Sequence, residues 1–212
     1  MTSTDLISRY FDSFTTCYAP LLARGWNSKI RDLKVQIKKK LSDYSLRNIE
    51  KDDQEEAAVL IPVFGREKLY FLLTQRTQEV STHKGQISFP GGVREQSDKS
   101  LLETALRETE EEIRISPSCV EVLGRFHDYL AVSGHCVATF VGYLKTGFSV
   151  FPNPGEVEHV LEVPLEFFLQ AQPRCEVRQH RTHCRTVYFY DYNGEVIWGL
   201  TAQIIRDFLH IL

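Results

Sequence analysis

The sequence has little excess charge of either sign. Its 212 residues contain 25 Lys and Arg and 28 Asp and Glu, which gives a formal net charge of −3 and a pI near 6.2. No broad positive field is therefore available to attract nucleic acid or an anionic membrane. We expect neither nucleic acid nor a membrane as a partner, and a small-molecule substrate fits this composition better than a polymer.

Cysteine is sparse and follows no metal-site or disulfide spacing. The five cysteines are an odd number and form no Cys-x-x-Cys pair, which argues against a disulfide framework and a zinc site. A reducing, cytoplasmic setting is therefore expected. No apolar run approaches the roughly 20 residues of a membrane-spanning helix, and Asp5 and Asp12 argue against an organelle-targeting helix.

Apolar residues are plentiful enough for a substantial core, at 42% hydrophobic and 11% aromatic. Residues 1–52 differ from the rest in their residue pattern. Apolar residues at helical spacings and a basic cluster precede a polar stretch. We predict an N-terminal helical arm over residues 1–52, which makes a homodimer plausible. The main domain is predicted over residues 53–212.

Short β-rich runs dominate from Ala57 onward. AAVLIPVF and LYFLLTQR are separated by GREK, which indicates a hairpin, and GQISFPGG predicts an extended segment that ends in a turn. A helix is predicted from about Ser100 to Ile113, and an amphipathic helix closes the sequence. Strands interleaved with two or three helices indicate an α/β (α+β) fold in which helices cover a mixed β-sheet.

A dense acidic cluster lies in RETEEE, residues 107–112. Helix positions three and four apart share a face, so Glu108, Glu111 and Glu112 are predicted to point into one region. Like charges so placed cost about 0.2–0.5 kcal/mol per pair, and a bound cation would reverse the sign. Oxygen ligands of this kind suit Mg²⁺ or Mn²⁺. A solvated, charge-rich helix face is the alternative when RETEEE is taken alone.

The sequence upstream favours the metal site. FPGG and a polar loop lead from a strand through a turn into the helix, so a backbone carbonyl near Gly91 is predicted to join the metal ligands. Arg107 lies four residues before Glu111 and is placed to hydrogen-bond a carboxylate and hold its rotamer.

The stretch GGVREQSDKSLLETALRETEEEIRI, residues 91–115, resembles the Nudix box. The second half of that motif, Arg-Glu-(apolar)-x-Glu-Glu, falls in register with Arg107, Glu108, Glu111 and Glu112. The resemblance implies a Nudix fold, which is an α/β/α sandwich. It also implies metal-assisted hydrolysis of a nucleoside diphosphate linked to another moiety.

Three features depart from the Nudix box. The loop between Gly92 and Arg107 is one residue longer, so Asp98 approximates the early acidic position. Thr109 stands where an aliphatic residue is usual, and Arg114 replaces the late glycine. The loop and the helix exit are affected, whereas the carboxylates are retained.

Residues 72–92, LLTQRTQEVSTHKGQISFPGG, resemble the additional signature of the coenzyme A diphosphatase subfamily. Ser81 stands where that signature has its second arginine. The resemblance implies cleavage of CoA or acyl-CoA to 4'-phosphopantetheine, or its acylated form, and adenosine 3',5'-bisphosphate. ADP-ribose, a dinucleotide or a nucleotide sugar is the alternative substrate, and a catalytically silent ligand-sensing module is a third hypothesis.

The same resemblance suggests roles outside the acidic helix. The predicted substrate-binding residues are Arg76, His83, Lys84 and Phe89. A structural ion pair is an equal alternative for Arg76, and packing of the turn is favoured for Phe89. The predicted catalytic residues are Arg107, with Glu111 as a general base within the box, and Glu156, in NPGEVEHV, as a base from a distant loop.

Overall fold

The computed structural model describes residues 26–49, 54–78, 84–180 and 183–212. Its helices are α1 (Trp26–Asp43), α2 (Leu101–Ile113), α3 (Leu165–Gln170) and α4 (Gly199–Ile211). Its strands are β1 (Glu56–Gly65), β2 (Leu69–Arg76), β3 (Ile87–Ser88), β4 (Gly91–Val93), β5 (Val120–Leu130), β6 (Cys136–Leu144), β7 (Val157–Pro164), β8 (Arg174–His180), β9 (His183–Tyr192) and β10 (Glu195–Trp198).

The main sheet has seven strands and is mixed. Its continuous order is β3-β2-β1-β6-β5, while β4 pairs with β1 and β7 pairs with β2. The β1–β6 pair is parallel and the other pairs are antiparallel. The predicted β1–β2 hairpin is confirmed, with Val63 opposite Phe71. Strands β8, β9 and β10 form a separate three-stranded antiparallel sheet.

Helices cover both faces of the main sheet, as the predicted α/β/α sandwich requires. On one face, Ala105 of α2 packs into a cluster with Ala58, Leu60 and Ala138. On the other face, α1 and α4 contribute to a larger cluster around Phe71. The alternation of side chains along each strand separates these two clusters, and it places the acidic helix on one side of the sheet only.

Part of the predicted N-terminal arm packs into the main core. The α1 side chains of Ile37 and Leu41 are 1% and 5% exposed and lie in the same cluster as the α4 residue Phe208. Residues 1–25 lie outside the described residues. The boundary between residues 52 and 53 and the homodimer stay predictions.

Three short elements were not predicted from the sequence. One is β4, because Gly91 and Gly92 were predicted to form a turn and instead pair with β1. The others are α3 and a 3₁₀ turn at Pro117–Cys119. Six and three residues give too few turns for a helical period to be recognised. Among the described residues, no helix has both the length and the apolar character needed to cross a bilayer.

Candidate functional site

Local interactions fix both ends of the acidic helix α2. Ser100 caps the N-terminus, because its side chain accepts a hydrogen bond from the Glu103 backbone N–H at 3.2 Å. Arg114 ends the helix in the left-handed conformation, with φ 58°, where the box has glycine. Thr109, which replaces an aliphatic residue, is buried and donates to the Ala105 carbonyl at 2.6 Å, so its hydroxyl is satisfied.

Arg107 connects the loop before α2 to the acidic face. It donates from Nε to Asp98 Oδ1 at 3.0 Å and from Nη2 to Asp98 Oδ2 at 3.1 Å. Its Nη1 lies 3.0 Å from Glu108 Oε1 and 2.9 Å from Glu111 Oε2. The predicted contact between Arg107 and a carboxylate is therefore present, and Asp98 is its most extensively bonded partner.

The Asp98 carboxylate is buried and well satisfied. It also accepts hydrogen bonds from the Glu95 backbone N–H and the Thr104 hydroxyl, both at 2.9 Å. Hydrogen bonding from Arg107 is the main reason that the pKa of Asp98 is lowered to about 2. Asp98 therefore stays ionised and anchors Arg107 from the loop side.

Glu108 lies directly against the turn that precedes the helix. A Cβ added to Gly92 would lie only 2.4 Å from the Glu108 carboxyl carbon. The backbone of β4 approaches this closely because β4 pairs with β1, with Gly92 opposite Ala58. Burial raises the pKa of Glu108, although Arg107 opposes the effect. Glycine at position 92 thus makes the room that the carboxylate occupies.

Glu112 is the most buried carboxylate of the acidic helix, with 1% of its surface exposed. Its Oε1 lies 3.5 Å from Nη1 of Arg76, at the end of β2. Burial raises the pKa of Glu112 to about 8, with Glu108 and Glu156 adding to the rise and Arg76 opposing it. This carboxylate therefore lies in a region where negative charge accumulates without enough positive charge to balance it.

The loop between β6 and β7 packs on the same face of the sheet as α2 and brings Glu156 to the same region. The Asn153 backbone N–H donates to the Glu112 carbonyl at 2.8 Å, which satisfies one of the open carbonyls at the end of α2. The Asn153 side chain donates to Glu156 Oε1 at 3.1 Å. Asn153 was not recognised from the sequence, although the turn residues of NPGE mark that loop.

The structure distributes the three predicted box carboxylates unequally. Glu108 and Glu112 interact with each other and with Glu156. The Glu111 side chain is 51% exposed and bonded to Arg107. The sequence predicted that the three box glutamates point into one region; Glu108 and Glu112 lie deepest in it, and Glu111, which also interacts with Glu108, lies at its exposed edge.

The predicted substrate-binding residues that the structure describes lie in different environments. Arg76 lies at the acidic cluster and Lys84 is exposed, whereas Phe89 is 2% exposed and packs edge-on against Phe71. The structure thus favours the packing interpretation of Phe89. His83, like Ser81, lies outside the described residues.

No preformed metal cage is present among the described residues, because no three histidine, cysteine or acidic side chains converge closely enough. The chemistry nevertheless suits a cation. Within that part of the chain, Glu112 Oε2, Arg76 Nε and the Thr77 hydroxyl are buried without a hydrogen-bond partner. Unpaired buried polar atoms are costly. A hard divalent ion would neutralise the carboxylates and bind the free Glu112 oxygen.

The amino-acid sequence is similar to known Nudix proteins over most of its length. The NUDIX domain family matches residues 54–186. An uncharacterized Nudix hydrolase NudL of Photorhabdus laumondii is 42% identical over 164 residues, which cover 74% of this chain and 84% of that protein. A NudL of Pectobacterium atrosepticum is 38% identical over 156 residues, 73% of this chain and 81% of that protein.

Solved structures give weaker similarity. The NUDIX domain of Shewanella oneidensis NrtR, crystallised with ADP ribose, has a TM-score of 0.45 and 21% identity. The match covers 63% of this chain and 86% of that one. The family assignment therefore rests on the sequence matches and on the acidic helix, and the chain belongs to the Nudix hydrolase family.

Proposed function

We propose that this Nudix hydrolase cleaves the diphosphate of CoA or acyl-CoA, releasing 4'-phosphopantetheine, or its acylated form, and adenosine 3',5'-bisphosphate. The observation that carries the reaction type is the pair of partly buried Glu108 and fully buried Glu112, in which one Glu112 oxygen is unpaired and burial raises the pKa of Glu112 to about 8. The subfamily signature in residues 72–92 supports CoA as the substrate.

Glu108 and Glu112 are the proposed ligands of Mg²⁺ or Mn²⁺, with Glu111 and the Gly91 carbonyl as further candidates. When bound, such an ion neutralises diphosphate oxygens and lowers the pKa of a coordinated water. Arg107 holds Glu108 and Glu111 in position through its own contacts with both. Its anchor at Asp98 keeps that arrangement fixed as charge develops.

Arg76 and Lys84 are the proposed contacts for substrate phosphates. The Arg76 side chain is 27% exposed at the edge of the cluster. Its guanidinium can therefore contact Glu112 and donate hydrogen bonds to a substrate phosphate at the same time. His83 stays a candidate from the sequence. We assign no substrate contact to Phe89, because its buried ring has almost no surface that a ligand could reach.

Glu156 is the better placed of the two general-base candidates. Its charge acts on both Glu108 and Glu112, whereas the charge of Glu111 acts on Glu108 alone of these two. The Glu111 carboxylate instead lies at the exposed edge of the cluster, where it accepts a hydrogen bond from Arg107. A larger fall in kcat for Glu156→Gln than for Glu111→Gln would support this assignment, and the reverse order would assign the base to Glu111.

A second candidate function follows from Ser81. The missing arginine removes a predicted phosphate contact of the CoA signature, which favours another nucleoside diphosphate derivative such as ADP-ribose.

The cytoplasm is the proposed location of the protein, and a homodimer is a proposed assembly. Both rest on sequence features alone.

A substrate panel tests these proposals. CoA, acetyl-CoA, ADP-ribose, NADH and a diadenosine polyphosphate are incubated with Mg²⁺ or Mn²⁺, and products are separated chromatographically. We expect cleavage of CoA by the wild type and by Glu110→Gln, an exposed neighbour, but not by Glu112→Gln. Cleavage of ADP-ribose without cleavage of CoA would support the second candidate. Ligand binding without turnover would support the silent module.

A further inference from the structure

A cavity of about 410 Å³ lies away from the acidic cluster. Its walls come from the end of β5, the turn that follows, β9 and the first turns of α4, and Arg47 and Ile49 close one side. Tyr129 belongs to the core cluster on the α4 face of the sheet, and Tyr188 packs against that cluster. The acidic helix α2 packs on the opposite face. None of the residues that line the cavity belongs to the acidic cluster.

Positive charge is concentrated in this cavity. Arg47, Arg185 and Arg206 all line it. Asp207 lies 3.3 Å from Arg47 Nη2 and 3.6 Å from Arg206 Nη1, so a single carboxylate forms ion pairs with two guanidinium groups. Arg185 donates to the Leu130 carbonyl at 3.2 Å and forms no ion pair with any carboxylate of the described residues.

The acidic residue that lines the cavity does not offset this charge. Asp128 accepts two hydrogen bonds from Arg125 Nη2, at 2.7 and 3.0 Å. Its charge is therefore already matched by an arginine outside the cavity. Within the described part of the chain, the three lining arginines carry two more positive charges than their carboxylate partner Asp207 can balance.

Most of the remaining wall is apolar or aromatic, with Thr186 and Gln203 as its uncharged polar residues. The Arg47 guanidinium lies 5.3 Å from the Tyr129 ring centre, and that of Arg206 lies 4.6 Å from the Tyr188 ring centre. Such stacking fixes the planes of the donors. Leu130 and the 67% exposed Val132 add apolar surface near the opening. The cavity thus combines oriented cationic donors with a surface for a hydrophobic or planar group.

We propose that this cavity binds the phosphate monoester of a small organic molecule, with the arginines holding the phosphate and the two tyrosines contacting the organic part. A phosphate monoester carries close to two negative charges at neutral pH, which matches the two unbalanced guanidinium groups better than a carboxylate would. Arginine also provides paired donors suited to phosphoryl oxygens. The site requires no metal.

Phenyl phosphate is the probe, because it joins a phosphate monoester to one aromatic ring. It is titrated into ¹⁵N-labelled wild-type protein in EDTA, so that no divalent ion can recruit phosphate to the acidic cluster. We expect saturable amide shifts in residues 129–132, 185–188 and 199–206, and none with phenol, which lacks the phosphate. Shifts confined to other residues, or no saturable shifts at millimolar probe, would overturn the proposal.

Arg185→Gln is the main variant, because among the described residues Arg185 contributes to the fold only through its bond to the Leu130 carbonyl. The Kd for phenyl phosphate should rise about 10-fold or more, the scale of a lost charge-assisted hydrogen bond. Arg66→Gln removes an exposed arginine outside the cavity and should leave Kd unchanged. Equal affinity in Arg185→Gln and wild type would exclude the site. If the variant fails to fold, the wild-type shift map decides.

The phosphate could belong to the enzyme's own substrate or to a separate molecule, and kinetics separate these sources. This arm rests on the proposed CoA activity. A higher KM for CoA but not for dephospho-CoA in Arg185→Gln would assign the cavity to the substrate's 3'-phosphate. An unchanged KM for both, with weaker phenyl phosphate binding, would assign it to a separate phosphorylated ligand. Failure to hydrolyse CoA would remove the proposed function, while the NMR result would still decide the cavity.

Discussion

At the scale of residues, the acidic cluster combines two opposite electrostatic environments. Asp98 is surrounded by donors and stays ionised, whereas Glu112 is buried with one unpaired oxygen. Arg107 lies between the two, bonded to Asp98 and to Glu108. The fold therefore stabilises the ionised form of Asp98 and disfavours that of Glu112, the proposed metal ligand, chiefly through burial, which is the condition that a bound cation relieves.

The pH dependence of stability should report the Asp98 anchor. Its pKa falls from an ordinary value of 3.8 to about 2 on folding. A lowered pKa stabilises the folded state above the ordinary value, and that stabilisation is lost as pH falls from about 4 toward 2. The free energy of unfolding of wild type should therefore exceed that of Asp98→Asn near neutral pH, and the difference should shrink below pH 4.

Urea unfolding at several pH values measures this difference. Asp32→Asn, at an exposed position of α1, is the control and should follow wild type. A constant gap between wild type and Asp98→Asn across the acid range would contradict the proposed anchor.

Residue types and spacing predicted much of this site, and three-dimensional contacts supplied the rest. The box register identified Glu108, Glu112 and Arg107. The ion pair of Arg76 with Glu112 joins residues 36 apart, and no local period encodes such a contact. Exposure of Glu111 was also missed, because sharing a helix face does not specify how deeply each position is buried.

At the scale of elements, the backbone of a short strand lies in close contact with the acidic helix. β4 is only three residues long, yet its pairing with β1 holds Gly92 against Glu108. The sequence predicted the helix to within one residue, but it assigned Gly91 and Gly92 to a turn instead of to β4. It did not predict this contact, because pairing of β4 with a strand more than 30 residues earlier is a tertiary interaction.

Gly92→Ala should separate activity from stability. The new methyl group would meet the Glu108 carboxyl at 2.4 Å, and the carboxyl can swing away at little cost to stability. If Glu108 is a metal ligand, as proposed, its displacement by about 1 Å is expected to reduce turnover on the order of 100-fold. We expect that scale of loss in kcat/KM for CoA, with a melting temperature close to wild type.

Gly155→Ala is the matched control for this substitution. Its added methyl group would lie 3.6 Å from Asn153 Oδ1, an ordinary contact, in the loop that carries Glu156. Activity should be retained. Equal loss in both variants, or full activity in Gly92→Ala, would show that the approach of Gly92 to Glu108 has no functional part.

At the scale of the whole molecule, the layers keep two charged regions apart. The acidic cluster lies on the α2 face of the sheet, and the arginine-lined cavity lies on the α4 face. The sequence predicted helices over a mixed sheet from its interleaved strands. The residue pattern alone led to the prediction that residues 1–52 form a separate arm. The sequence could not show that α1 packs into the same core as α4.

Ile37→Ala tests whether α1 belongs to the cooperative core. Ile37 is 1% exposed, and truncation of a buried isoleucine costs about 2–5 kcal/mol. Chemical denaturation should show one transition with that loss. Val35→Ala, at a 60% exposed position of the same helix, should change stability by less than about 0.5 kcal/mol. Equal, negligible effects would indicate an arm that unfolds independently of the domain.

The central claim is that the buried end of the acidic helix holds a divalent cation, and Mn²⁺ binding followed by electron paramagnetic resonance tests it most directly. Wild type and Glu110→Gln, whose position is exposed, should bind Mn²⁺ with similar affinity. Glu112→Gln replaces the buried carboxylate with an amide of nearly the same shape and should weaken binding about 10-fold or more. Equal Mn²⁺ affinity in all three proteins would contradict the account.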